Sequence, residues 1–382
     1  VSELVELTER LVRIPSHEDE TAAGDAIEGW LREETAADVT RDDAGNVIAR
    51  RDTGADRSLA LVGHHDVVPP AESQVVGGGD AGAGDIDDAN EYVVEEDDGR
   101  LWGRGTADMK GAVAAMLLAF RDADLAGAEA ADGPPWNLVF ASFVGEEDGG
   151  VGCRAAIDAG FAPDYAIVGE GSTGYSADGV TDVAVAHKGR RGSTIVVAGQ
   201  AAHASEPEKG ENAVYRACDA VDIVRDLPAP SSSVLGHDVD GSLVVTGIDG
   251  GSAWNVVPER CEVTVDERTV PGDRADLARV EEVDGVSWSV DQDLPPMACD
   301  DEDFAALVTD AASSVQPDST PEQVVKPHAT DAGWLADADV TCVVVGPAEP
   351  GEAHTDSESV DIDVLERCRE LYRDAAESSI AE

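Results

Sequence analysis

An α/β fold built on a mostly parallel sheet, with a smaller α+β domain inserted into it, is what this 382-residue sequence predicts, on three observations. The runs LALVG, LVFASF, YAIV and TCVVV are apolar, of strand length and without alternation, as strands covered by helices on both faces read. Helical periodicities fall between such runs, the order expected of a parallel sheet. From about residue 183 to residue 290 the pattern changes to strands around an amphipathic helix, and then the first pattern resumes.

Taken in order, SELVELTERLVRIPS places Leu4, Leu7 and Leu11 on one face of a helix that Pro15 stops. Strands come next near residues 44–50 and at residues 58–62. Between Pro70 and Arg100, the stretch GGGDAGAGDIDDANE is too poor in apolar residues to build a core and reads as a solvated loop. Met109, Val113, Met116, Leu117 and Phe120 then repeat at helical spacing, so Asp108 sits where a helix begins. The inserted segment offers strands at residues 193–197, 243–248 and 261–265, a helix at 211–226 and a second at 276–283. The chain returns through residues 294–297, a helix at 303–313 and a strand at 341–345. A last helix carries Val364, Leu365, Cys368, Leu371 and Tyr372 on one face. The expected boundaries are residues 1–182, 183–292 and 293–382.

Eighty Asp and Glu against 26 Lys and Arg leave a net charge of -54, with only four Lys. Such a charge repels nucleic acid phosphates and anionic lipid head groups, which excludes both as expected partners. The acids are spread through periodic segments rather than gathered in a tail, so a salt-rich, halophilic cytosol explains them better than disorder. At molar salt the Debye length is ~3 Å, which screens the self-repulsion. No apolar run approaches the ~20 residues that span a bilayer, and the N-terminal segment lacks a basic region followed by a hydrophobic stretch, so a cytoplasmic location is expected. The six Cys are scattered, without CxxC or zinc-finger spacing.

Five segments end in metal-binding side chains: GHHD with His64 and Asp66, GRGTAD with Asp108, GEED with Glu146 and Glu147, VGEGS with Glu170, and EAHTD with His354. Strand ends of an open α/β sheet gather in one place, so these ligands are expected to converge. Imidazole suits zinc, and a carboxylate two residues away can take the other ring N–H of His64. His65 points to the opposite face of an extended chain and is expected to pack or hydrogen-bond there. The GRGT turn lacks the ending of a phosphate loop. Adjacent Glu146 and Glu147 repel one another unless a cation lies between them; a solvated acidic turn is the plain alternative.

The order GHHDVVP, GRGTADMKG, GEEDGG, VGEGS, HKGRRGS, AAHAS, NVVPE and EAHTD, from about Leu4 to Tyr372, resembles the zinc-dependent deacylase and carboxypeptidase family that includes succinyl-diaminopimelate desuccinylase, acetylornithine deacetylase and aminoacylase. The resemblance implies a zinc-exopeptidase-like catalytic domain with a ferredoxin-like lid that also forms a homodimer. It implies two Zn2+ ions bridged by Asp108, one completed by His64 and Glu170 and the other by Glu147 and His354; Co2+ and Mn2+ fit the same ligands. It gives Glu146 the role of general base, Asp66 that of orienting His64, and His203 that of reaching the neighbouring subunit's site as an oxyanion donor. Asn255, Arg191 and Arg268 match positions that hold the substrate carboxylate, a task for which the planar guanidinium is suited. An ordinary ion pair is the alternative for Arg191 and Arg190.

The implied reaction is hydrolysis of the amide of a small N-acyl amino acid. N-succinyl-LL-diaminopimelate is the first substrate, N-acetylornithine the next, and an aminoacylase or dipeptidase substrate the third. A catalytically silent dimer that keeps the fold as a binding module is the alternative class; loss of a ligand or of the Glu pair would mark it, and none is lost. The chain departs from the family in its Gly/Asp-rich insertion and in KPHATDAGW around Thr330, where relatives carry a Gly-rich turn. The resemblance implies that this loop meets the amino acid end of the substrate, and His328 within it is either a contact or a plain loop residue.

Overall fold

The computed structural model describes residues 2–77, 91–125 and 136–380. It contains two compact units, one of residues 1–186, 298–326 and 330–382, the other of residues 187–297 and 327–329.

In the first unit, strands Ser58–His64, Asn137–Phe143, Tyr165–Val168 and Thr341–Val344 lie side by side and parallel, with Ser58–His64 between the second and third. Nearly all their residues are buried, which is why they lack the alternation of a half-exposed strand. Antiparallel neighbours extend this parallel centre: Val47–Arg51 and Asp38–Arg41 on one side, Val183–His187 on the other. The nine-stranded sheet is therefore mixed around a parallel core rather than mostly parallel throughout. Because Val183–His187 joins this sheet, the first unit runs four residues past the expected boundary.

Helix Glu3–Val12 starts where the Ser2 hydroxyl accepts the Val5 N–H, a cap worth ~1 kcal/mol, and buries Leu4, Leu7 and Leu11. Helix Gly111–Asp122 is buried from Gly111 to Phe120 and packs against Ile362–Glu377, which turns Val364, Leu365, Cys368, Leu371 and Tyr372 inward. Each such side chain contributes roughly 1.5–3 kcal/mol on leaving water.

The strand foreseen at residues 44–50 begins only at Val47, because the Asp42 carboxylate accepts the N–H groups of Ala44, Gly45 and Asn46 at 2.9 Å and bends that segment into a turn. Of the stretch foreseen as a solvated loop, residues 78–90 lie outside the described residues, but its flanks are structured. Tyr92 is fully buried with its hydroxyl 2.6 Å from His17 Nδ1, and Glu95–Asp97 pairs with Arg100–Trp102.

The second unit is a four-stranded antiparallel sheet in which Arg190–Ala198 lies between Arg260–Arg268 and Val286–Leu294, and Ser242–Gly250 forms an edge. Helix Ala213–Asp226, capped by Asn212 on the Val214 and Tyr215 N–H groups, covers one face over Ile195, Val197, Val263 and Val265. The second helix foreseen there is a short 3-10 run, Leu277–Glu282. The chain order is strand, helix, strand, strand, 3-10 run, strand, the split βαβ arrangement of ferredoxin-like units. No described helix is long and apolar enough to cross a membrane. All six Cys are free, and all but Cys218 are buried.

Candidate metal centre

The four parallel strands point the same way, so the segments that leave their carboxyl ends meet at one edge of the sheet. His64 is the last residue of its strand, Glu146 and Glu147 come just after Asn137–Phe143, Glu170 just after Tyr165–Val168, and His354 lies in the loop after Thr341–Val344. Asp108 arrives on the turn before the buried helix, where Gly105 has a φ of +88° that favours glycine and the Asp108–Met109 peptide is cis. Gly145, at φ +59°, turns the chain directly before Glu146. His354 itself takes φ +63°, an uncommon conformation for a non-glycine residue and of the kind that collects at functional sites.

Asp108 is the hinge of the arrangement. Its Oδ1 lies 3.1 Å from His64 Nε2, and its Oδ2 lies 3.0 Å from His354 Nε2. Glu170 Oε1 is 3.2 Å from the same nitrogen of His64, and Glu147 Oε1 is 2.8 Å from that of His354. One carboxylate thus faces two imidazole and carboxylate pairs, one with each oxygen. Two groups of donor atoms, His64 with Glu146 and Glu170, and Asp108 with Glu147 and His354, each fall within 4.8 Å of one another. Nitrogen and oxygen donors gathered this tightly suit zinc-like divalent ions, and like-charged carboxylates brought this close need positive charge among them.

The surrounding contacts hold the donors in place. Asp66 is buried; its Oδ1 lies 3.2 Å from His64 Nδ1 and its Oδ2 accepts the Glu147 N–H at 3.0 Å. His65 points away as expected, with Nδ1 2.8 Å from the Ser142 hydroxyl, and burial pushes its pKa down to about 3, so it is neutral. Two residues at the site were not singled out from sequence. Lys326, itself buried, donates to Glu170 Oε2 at 3.3 Å, leaving Oε1 for the His64 side. Asp331 is buried with neither carboxyl oxygen hydrogen-bonded among the described residues, and burial first, then nearby acids, push it up to about 7.

Metal-free, the cluster competes for protons. Burial works against the His64 imidazolium, yet the charge of Asp66 and the bonds to Asp108 and Glu170 lift its pKa well above the usual histidine range. His354 is lifted to about 10 by Asp108 and Glu147. Burial raises Glu146 strongly and Glu147 less, with neighbouring acids adding to both. Stability from a raised His354 is full below pH ~6.5 and is lost as pH rises through about 10, and the raised Glu residues lose theirs in the same direction. A bound cation takes over from those protons. The gap in Tm between zinc-loaded and chelator-treated protein is therefore expected to widen from pH ~6.5 to ~9. Comparing the two forms cancels groups such as Lys110, which burial pushes down to about 7. A constant gap would show that these histidines do not exchange protons for metal.

Residues 60–378, well over half of the chain, match the model of peptidase family M20/M25/M40. The chain belongs to that family. A putative [LysW]-lysine/[LysW]-ornithine hydrolase of Pyrobaculum aerophilum is 29% identical over 97% of this chain and 96% of its own length. Acetylornithine deacetylase of Yersinia pseudotuberculosis is 28% identical over 82% of this chain and 77% of its own. Among solved structures, the Bacillus subtilis YXEP protein, described as a dinuclear metal binding peptidase from the M20 family, superposes with a TM-score of 0.66 at 14% identity, covering 98% of this chain and 96% of that one. This M20-family chain is thus a metallohydrolase homologue acting on amides.

The other expected residues of this family member lie in different places. His203 and Asn255 come together in the second unit, their side chains 3.5 Å apart, on the paired strands Ala202–His203 and Val256–Val257 and the turn before the latter. Arg268 is partly exposed, its Nε donating to Asp266 at 2.9 Å. Arg191 lies in the second unit too: its Nε donates to buried Glu267 at 2.6 Å, its Nη2 to the Ala275 carbonyl, and its guanidinium lies over Trp288. Removing either partner of this ion pair would strand a buried charge. Thr330 caps helix Asp331–Asp337, accepting the Ala332 N–H, and His328 is exposed.

Proposed function

We propose that this chain hydrolyses the amide bond of a small N-acylated amino acid bearing a second amine, of the ornithine, lysine or diaminopimelate kind. The carrying observation is Asp108, which directs one oxygen to His64 and the other to His354, with Glu146 alongside. The names of the two relatives favour N-acylornithine and lysine conjugates over N-succinyl-diaminopimelate, which the sequence placed first. His64 and Glu170 would hold one divalent cation, Glu147 and His354 the other, with Asp108 between them. Such a pair supplies Lewis acidity at the amide carbonyl and acidifies water.

The remaining work falls to the chain's own groups. Glu146 takes a proton from the attacking water as the C–O bond forms, and returns it to the amine nitrogen as the C–N bond breaks, giving a carboxylic acid and a free amino acid. Its burial and acidic neighbours raise its proton affinity, as a base of this kind needs. Asp66 fixes the tautomer of His64. His203 supplies an N–H to the developing oxyanion, a contact worth roughly 3 kcal/mol. Asn255 and Arg268 bind the substrate carboxylate, and the loop of Thr330 meets the amino acid portion. The second unit acts as lid and as homodimer surface. Exposed Tyr215, Val244 and Ile248, with the edge strand Ser242–Gly250 paired on one side only among the described residues, fit such a surface. The charge pattern supports a salt-rich cytoplasm as the setting.

Hydrolysis of N-acetylornithine, N-succinyl-diaminopimelate, an N-acylated lysine and plain dipeptides, measured in molar KCl before and after chelation, tests this. The expected result is activity on an acylated diamino acid, lost with the metal and restored by Zn2+, Co2+ or Mn2+, from a particle with the mass of two chains. Activity that survives complete removal of metal, or confined to dipeptides, would overturn the reading; a monomer would remove the cross-subunit role of His203.

A further inference from the structure

Four residues beyond His354, Glu358 is buried and its carboxylate reaches into the turn that carries Asp108. Its Oε1 accepts the N–H groups of Gly105 at 2.9 Å, Ala107 at 3.0 Å and Asp108 at 3.1 Å, and its Oε2 accepts from Arg104 Nη1 at 2.5 Å. Its main chain is tied in as well: the carbonyl accepts the Gly103 N–H at 3.0 Å, and its own N–H donates to the carbonyl of Thr355, the residue after His354. One residue therefore stitches residues 103–108 to residues 354–358.

We infer that Glu358 is a positioning residue for the cation centre, setting the spacing between Asp108 and His354. The inference rests on the two-cation reading above. Asp108 must hold each oxygen toward a different imidazole while other carboxylates repel it, so its main chain has to be fixed by something outside the cluster. The Gly105, Ala107 and Asp108 N–H groups are donors that burial would leave costly if unpaired, and a single carboxylate satisfies all three. Arg104, buried in turn, pairs with Glu358 and offsets part of its charge beside the cluster. Glu358 also spans the gap to the His354 loop, whose main chain takes the left-handed conformation, uncommon for a non-glycine residue.

Zn2+ titration of metal-free wild type, Glu358→Gln and Glu358→Ala against a competing chelator in molar KCl tests it, with circular dichroism as the check on folding. Outer contacts to ligands of this kind typically change metal affinity about 10–100-fold. The expected result is two equivalents in the wild type, with the weaker one bound about 100-fold less tightly in Glu358→Ala and about 10-fold less in Glu358→Gln, which keeps an oxygen for the three N–H groups but not the charge facing Arg104. A folded variant of either kind that titrates like the wild type overturns the inference and leaves Glu358 a stability residue alone. If Glu358→Ala does not fold, Glu358→Gln decides. A wild type that takes up fewer than two equivalents overturns the two-cation reading itself, and this inference with it.

Discussion

Glu146→Gln is expected to fold, to retain two equivalents of divalent metal and to lose about 10³-fold in kcat, the size of contribution a positioned general base makes. The substitution keeps the shape of the side chain and removes only its ability to carry a proton. KM should change little, because Glu146 acts on the water rather than on the substrate. The measurement has to include metal content, since Glu146 lies close enough to His64 and Glu170 to be a third donor there. A variant that loses one cation together with its activity would make Glu146 a ligand, and substantial retained turnover would remove it from the chemistry. The pKa of Glu146, raised by burial and then by Asp331, Glu170 and Glu147, also predicts that metal-free Glu146→Gln withstands alkaline pH better than the metal-free wild type.

Dilution from molar KCl into dilute buffer is expected to unfold the protein. With 80 acidic residues and 26 Lys and Arg, most acids have no cationic partner even if every base is paired. Many Arg are indeed committed to exposed pairs, such as Arg32 with Glu28 and Arg121 with Glu3, and each is worth only up to ~1 kcal/mol. At ~0.01 M salt the Debye length is ~30 Å, so the unpaired acids repel one another across the whole molecule; at ~1 M it is ~3 Å and only near neighbours interact. Net stabilities of ~5–15 kcal/mol are readily exceeded by that difference. Circular dichroism monitored through the dilution should show the helical signal collapse, and a spectrum unchanged in low salt would refute the halophilic reading of the composition.

Much of the fold was legible because burial leaves a mark on sequence. The unbroken apolar runs at Leu59–Val62, Leu138–Phe143 and Tyr165–Val168 announced strands covered on both faces, and Leu4, Leu7 and Leu11 announced a helix with one. Misreadings fell where a local polar contact or a tertiary partner overrode the pattern. Asp42 turned residues 44–46 away from a strand. Val183–His187 read as the start of the inserted domain, yet its alignment with Thr341–Val344 places it in the first sheet.

By itself the sequence determined which residue types end the central strands, and so which donors are available: two imidazoles and several carboxylates, in an order shared with a known family. It determined equally that the surface would be dominated by negative charge, since composition alone fixes that. Only the tertiary structure decided which oxygen of Asp108 faces which histidine, that Arg191 is committed to Glu267, and that Lys326, Asp331 and Glu358 belong to the neighbourhood of the centre. The reason is physical: a ligand's type is a property of one side chain, whereas orientation and partnership depend on distances between segments up to about 250 residues apart, such as Asp108 and Glu358. Among 80 acidic residues, nothing local distinguishes the one that holds Asp108 in place.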